Sequence, residues 1–190
     1  MQTVKIKILG TSPLMVQSER LANPLDPMTK ELKALTSKRK KTDDDLLAIY
    51  WVEWQGGLHH DPALGPFLPG ANLDAAMCEA AKLQRRGKDV KRALMVVEDK
   101  IRIEYDGPRD QKKMYESGRF TDVRGVRVKQ ARTMRCRPIF REWSMSVTVN
   151  FDESVLNESD VMAFAVDAGR YVGIGTFRPR YGRFEVSRAA

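Results

Sequence analysis

Arginine and lysine side chains are concentrated in one stretch of this 190-residue chain. Residues 123–141 contain no carboxylate, and their cations account for nearly the whole formal net charge of +8. These cations are Arg124, Arg127, Lys129, Arg132, Arg135, Arg137 and Arg141. Clustered like charges repel one another without a counter-charge, so this basic strip predicts a polyanionic partner, with nucleic acid favoured.

A second stretch, residues 173–183, combines glycine, arginine and aromatic residues. Its glycines could present backbone N–H groups to a phosphate, its arginines supply charge, and its rings supply a stacking plane. The residues concerned are Gly173, Gly175, Arg178, Arg180, Tyr181, Gly182 and Arg183, with Phe177 as the alternative ring. This composition favours nucleic-acid binding over the alternative, a helix C-cap followed by an ordinary turn.

A third cationic cluster ends a polar segment, residues 17–41, that contains two prolines. The segment predicts a long mobile loop, with a short helix near residues 29–35. Its cluster either holds phosphate or solvates a disordered loop, and it consists of Lys38, Arg39, Lys40 and Lys41.

The composition excludes other kinds of site. Cys78 and Cys136, and the adjacent His59 and His60, lack the spacing of a zinc site or a disulfide framework, so we expect no metal and no cofactor. The first residues alternate charged with apolar side chains, unlike a signal peptide, and no apolar run is long enough to span a bilayer. We expect a protein of the reducing cytoplasm with no membrane partner.

The elements that must position these side chains follow from periodicity and from turn residues. Apolar residues alternate with polar ones in strands, and recur on one face in helices. The predicted order is a strand at 4–8, a helix at 72–87, strands at 95–105 and 142–151, a helix from 157, and a strand at 184–186. A further capped helix begins at Thr42, and the basic strip forms a hairpin that ends before Pro138.

This order predicts an α+β fold of the ferredoxin-like, or RNA-recognition-motif-like, type. The first and third strands lie at the centre of an antiparallel sheet, and two helices pack on one of its faces. We expect one domain, residues 1–190, with large insertions at about 17–70 and 106–141.

Three segments resemble the RAMP superfamily, the RNA-binding proteins of CRISPR effector complexes. Residues 8–15 (ILGTSPLM) resemble its first strand and turn, and residues 67–77 (FLPGANLDAAM) resemble its helix entry. Residues 173–184 (GIGTFRPRYGRF) resemble its C-terminal glycine-rich loop. Asn72 and Asp74 stand where the family usually has serine and lysine.

The resemblance implies the backbone subunit that binds guide RNA, in a short form that is stand-alone or phage-encoded. Its partners would be single-stranded RNA or DNA, copies of itself side by side along the strand, and other effector subunits. Residues 17–41 would take the place of the family's thumb-like insertions.

The resemblance also implies an alternative function, because some members cut RNA with an aspartate after the first strand and others with a histidine base. Asp26, His59 and His60 are the candidates for such a metal-independent endoribonuclease. The sequence favours a sequence-independent binding protein that is not an enzyme, since these residues have no visible catalytic partners. A module that binds an acidic protein is a third possibility.

Overall fold

The computed structural model describes residues 1–128 and 130–189 and shows an α+β protein with antiparallel sheets. The predicted binding residue Lys129 lies outside the described residues. The strands are β1 (Gln2–Gly10), β2 (Leu14–Met15), β3 (His60–Asp61), β4 (Gly65–Pro69), β5 (Leu94–Val96), β6 (Lys100–Arg102), β7 (Thr121–Val128), β8 (Ala131–Phe140), β9 (Ser144–Phe151) and β10 (Phe184–Arg188). The helices are α1 (Pro27–Thr36), α2 (Asp43–Gly57), α3 (Gly70–Leu83), α4 (Gly87–Ala93), α5 (Gln111–Glu116) and α6 (Glu158–Asp167), with a 3₁₀ turn at Glu19–Ala22 and a π-helical turn at Ala168–Val172.

The central sheet has the strand order β10-β1-β9-β5, and each neighbouring pair is antiparallel. Val4, Ile6 and Ile8 of β1 are buried, whereas the alternate side chains such as Lys5 face away from the core. Helices α3 and α6 contact each other and the sheet, and their apolar residues join the same core cluster as the buried row of β1. The first and third predicted strands, β1 and β9, are central as expected.

Two helices begin where capping residues predict it. The Thr42 hydroxyl accepts from the Asp45 N–H, while the Asp45 carboxylate accepts from the Thr42 N–H, which completes a capping box at α2. Asn157 and Asp160 form the same reciprocal pair at α6. Helix α3 differs, because it begins at Gly70 after Pro69 and Asn72 lies inside it rather than capping it.

The strand predicted at residues 95–105 is divided in the structure. Its first part, β5, pairs with β9, and its second part, β6, pairs with β4. The Glu98 carboxylate accepts the N–H of Thr148 at 2.9 Å, so it takes the donor that a longer β5 would need for its own ladder. The chain turns there and joins a different sheet.

The short helix predicted near residues 29–35 is present as α1, and Asp26 caps its N-terminus by accepting from the Met28 N–H. The predicted loop around it is shorter than expected, because a 3₁₀ turn precedes α1. The basic strip does form a hairpin, but Pro138 lies within β8, paired with Thr121, instead of ending the strip.

Both regions predicted as insertions contribute to the same core as the central sheet. The Trp54 indole of α2 donates to the Phe120 carbonyl at 2.8 Å, and both residues belong to the core cluster that contains Ile6. The hairpin is therefore held in place by packing at its base.

Candidate nucleic-acid interface

The register of the β7–β8 hairpin divides the basic strip between two faces. Arg124 is opposite Arg135, and Arg127 is opposite Arg132. Since side chains alternate along a strand, Arg124, Arg135 and Arg137 lie on one face, and Arg127 and Arg132 lie on the other.

Two arginines of the strip are paired with carboxylates. Arg124 forms an ion pair with Asp122, the residue directly before the strip, and these hydrogen bonds raise the pKa of Arg124. Arg135 donates to Glu53 of α2, and the Cys136 N–H donates to the same carboxylate at 2.9 Å. The strip contains no carboxylate of its own, but the fold brings Asp122 and Glu53 to two of its arginines.

Glu53 is a functional neighbour that the sequence analysis missed. Its side chain is buried, with the residue only 3% exposed, and it lies in an otherwise apolar helix segment. A single carboxylate in such a segment is a detectable signal, because a buried charge needs a partner.

The glycine-rich segment is fixed to the turn that follows β1. The Gly173 N–H donates to the Ala168 carbonyl at 2.7 Å, and the Gly182 N–H donates to the Pro13 carbonyl at 2.9 Å. Both amides therefore already have backbone acceptors within the fold. Gly182 has φ +72°, and a Cβ there would lie 1.8 Å from the Ile174 carbonyl oxygen, so a tight backbone approach requires this glycine.

Phe177 is the centre of an arginine–aromatic cluster. The guanidinium carbon of Arg137 lies 4.9 Å from its ring centroid, and that of Arg124 lies 5.4 Å away. Arg124 also lies 4.8 Å from the Tyr181 ring and donates to the Tyr181 hydroxyl at 2.8 Å. That hydrogen bond lowers the pKa of Tyr181, with a further contribution from Arg180.

Arg137 is held by more than its ring contact. Its Nε donates to the Gln17 side-chain oxygen at 2.8 Å, while its Nη1 is buried and has no hydrogen-bond partner among the described residues. Burial, together with the nearby charge of Arg135, lowers the pKa of Arg137. A negative charge placed near Arg137 would therefore stabilise the charged form of this side chain.

An open groove of about 850 Å³ adjoins this cluster. Its walls come from the hairpin, from the 3₁₀ turn and from α2, and Phe177 lies at one side. The charged side chains on the walls are Glu19, Glu53, Arg127, Arg135 and Arg137. Glu53 and Arg135 pair with each other, and the remaining wall charges, two arginines and Glu19, sum to +1, so the groove favours an anionic chain.

The other predicted binding residues are not all part of this cluster. Arg178 lines a neighbouring groove with Glu79, and Arg183 donates to the Pro179 carbonyl. Arg141 donates to the Arg119 carbonyl near the base of the hairpin. In the Lys38–Lys41 cluster, Lys38 pairs with Asp45 at 2.5 Å and Lys41 donates to the Lys38 carbonyl, while Arg39 and Lys40 are exposed.

Each candidate catalytic residue contacts other parts of the fold. Asp26 pairs with Arg20 as well as capping α1, and the Arg20 hydrogen bond lowers its pKa. His59 is buried beside Phe67, and burial lowers its pKa. The His60 Nε2 lies 3.1 Å from the Arg109 carbonyl oxygen.

Within residues 1–128 and 130–189, no group of three or more histidine, cysteine, aspartate or glutamate side chains is arranged to hold a metal ion. Across the same residues, no helix has the length and apolar character needed to cross a bilayer.

Neither a protein-family model nor a curated protein matches this chain. The proposed function is therefore argued from the geometry of the site.

Proposed function

We propose that this protein binds single-stranded nucleic acid, RNA first, without sequence preference, and that copies of it assemble side by side along the strand. It acts as a binding protein and not as an enzyme. The observation that carries the proposal is the position of Phe177, which stacks with Arg124 and Arg137 beside the groove lined by Arg127 and Arg135.

This arrangement supports binding without sequence preference for two physical reasons. Arginines on a hairpin contact backbone phosphates, which are the same in every sequence. An aromatic ring stacks on any base, because every base has a π face.

The proposed fold is more specific than the α+β class that the structure shows. We propose a ferredoxin-like arrangement, because the strand order β10-β1-β9-β5, with α3 and α6 connecting its strands, corresponds to the order 4-1-3-2 of such a sheet. The RAMP-like motifs on β1, on α3 and before β10 support a single domain related to the CRISPR effector backbone subunit, with other effector subunits as further partners. A cytoplasmic location is proposed with it, supported by the two free cysteines, Cys78 and Cys136.

The test is binding of labelled oligouridylate and oligoadenylate RNA, measured by fluorescence anisotropy over a range of salt concentrations. Reversing charge with Arg127→Glu and Arg132→Glu should weaken binding to all sequences equally. The slope of log K against the logarithm of the salt concentration should also become shallower by about 0.7 for each phosphate that the variant no longer neutralises. The matched control is Lys112→Glu with Lys113→Glu on α5, which changes the net charge equally outside the hairpin.

Unchanged affinity in the hairpin variant would refute the β7–β8 hairpin as part of the binding surface. The same reactions, analysed on denaturing gels, also test the endoribonuclease alternative. That alternative requires RNA fragments that disappear with Asp26→Ala or His59→Ala, whereas the proposed binding protein leaves the RNA intact.

A further inference from the structure

A second cationic groove lies at the junction of two helices, outside the interface described above. Its volume is about 490 Å³, and we call it the α3–α4 groove. The residues that line it are Cys78, Lys82, Arg85, Gly87, Lys88 and Lys91. None of these lining residues is a carboxylate, although Lys82 pairs with Glu79.

Close packing at Gly87 brings the two helices together. A Cβ at Gly87 would lie 2.7 Å from the Cγ of Lys82, and the Cys78 thiol donates to the Gly87 carbonyl at 3.3 Å. Lys82 therefore crosses the junction with its stem packed, while its ammonium group reaches Glu79 at 2.6 Å.

Charges on α4 are segregated, although the sequence mixes both signs there. Asp89 pairs with Arg86 and Arg92, so the carboxylate of α4 is neutralised by these two arginines. Lys88 and Lys91, three residues apart, face the groove instead. Among the described residues, neither of these lysines has an ion pair.

Arg85 supplies the fourth cation from an unfavourable backbone conformation. Its φ is +59°, at the position after the α3 C-cap where glycine is the usual residue. The Arg86 N–H donates to the Ala81 carbonyl at 2.9 Å, which is the closing bond of this kind of helix end. Arginine is less favourable than glycine in this left-handed conformation. The property that Arg85 has and glycine lacks is its positive charge.

We propose that the α3–α4 groove binds phosphate groups through Lys82, Arg85, Lys88 and Lys91. The source is either the backbone of a nucleic-acid strand or a free polyphosphate, since both present the same anionic oxygens. This site does not depend on the interface around Phe177.

Cys78 provides a local readout of occupancy, because its half-buried thiol lines the groove. The other cysteine, Cys136, is 1% exposed, and burial raises its pKa to about 12, so it does not compete for an alkylating reagent. The experiment measures the rate of Cys78 alkylation by iodoacetamide with no addition, with oligouridylate RNA, and with inorganic tripolyphosphate.

We expect Cys78 alkylation to be slower with either addition. The double variant Lys88→Glu, Lys91→Glu should restore the unprotected rate. Protection by RNA alone assigns the groove to a strand, and protection by tripolyphosphate assigns it to phosphate from either source. The control is the α5 variant Lys112→Glu with Lys113→Glu, which should remain protected.

An unchanged alkylation rate with both additions would overturn the proposal, and so would protection that persists in the α4 variant. Titration calorimetry with tripolyphosphate repeats the test without relying on the thiol, and absence of heat there counts equally against the site. Protection by tripolyphosphate in a protein that does not bind RNA would refute the function proposed above and leave this groove supported.

Arg85→Gly separates binding from folding, because the two effects have opposite signs. Removal of the left-handed arginine should raise Tm by about 2–4 °C, while protection of Cys78 should weaken. Full protection in this more stable variant would exclude Arg85 from the phosphate site.

Discussion

Phe177 combines three properties that few residues share. Its backbone has φ +59°, its ring is 39% exposed, and two guanidinium groups lie against that ring. A left-handed conformation at a residue other than glycine costs about 1–2 kcal/mol, so the surrounding contacts must hold it. The strain therefore points to a ring whose position matters.

Replacing this ring tests its role in binding. Phe177→Ala should weaken binding of single-stranded RNA by about 1–3 kcal/mol, the usual contribution of one stacked base. The measurement is a titration by fluorescence anisotropy, with circular dichroism to show that the fold is kept. Tyr171→Ala is the matched control, since Tyr171 is also exposed but contacts neither Arg124 nor Arg137. Equal weakening in the two variants would contradict a specific stacking site.

The sequence predicted the composition of this cluster but not its arrangement. Tyr181 and Phe177 were candidate rings because arginines surround them, and Arg124 and Arg137 belonged to a separate strip. The contact between the two segments depends on how the hairpin packs, which no local pattern encodes. Gln17 was missed for the same reason, because only the tertiary structure brings it to Arg137.

At the scale of elements, the Glu53 carboxylate joins α2 to the hairpin. Glu53 satisfies Arg135 from one oxygen and the Cys136 N–H from the other. The hairpin presents its remaining arginines from a base that is held by this contact and by the packing of Phe120.

Two substitutions at this contact should differ in stability. Glu53→Ala leaves the Cys136 N–H without an acceptor and should lower the free energy of unfolding by about 2 kcal/mol. Glu53→Gln keeps one acceptor oxygen for that N–H and should cost less. Urea denaturation of both variants and the parent protein measures the difference. If the glutamine variant were as unstable as the alanine variant, the contribution of the Cys136 hydrogen bond would be refuted.

Elements with strong local signals were predicted well. β9 alternates cleanly over its whole length, and the capping residues of α2 and α6 mark their first turns. The division between β5 and β6 was not predictable, because it depends on the Glu98 side chain capturing a donor on another strand.

At the scale of the whole molecule, the net charge of +8 opposes self-association until an anion neutralises it. The proposed assembly should therefore require nucleic acid. We expect the number of bound copies, measured by mass photometry, to rise in steps as the oligouridylate is lengthened from about one binding site to several. A fixed ratio of one protein to one strand at every length would contradict assembly along the strand.

The central sheet also sets the order in which the chain can fold during synthesis. β1 lies between β9 and β10, so its two partners emerge from the ribosome long after it does. Until then the apolar row Val4, Ile6 and Ile8 has no partner strand beside it. A fusion partner attached after Arg188 consequently needs a linker that lets β10 reach the edge of β1.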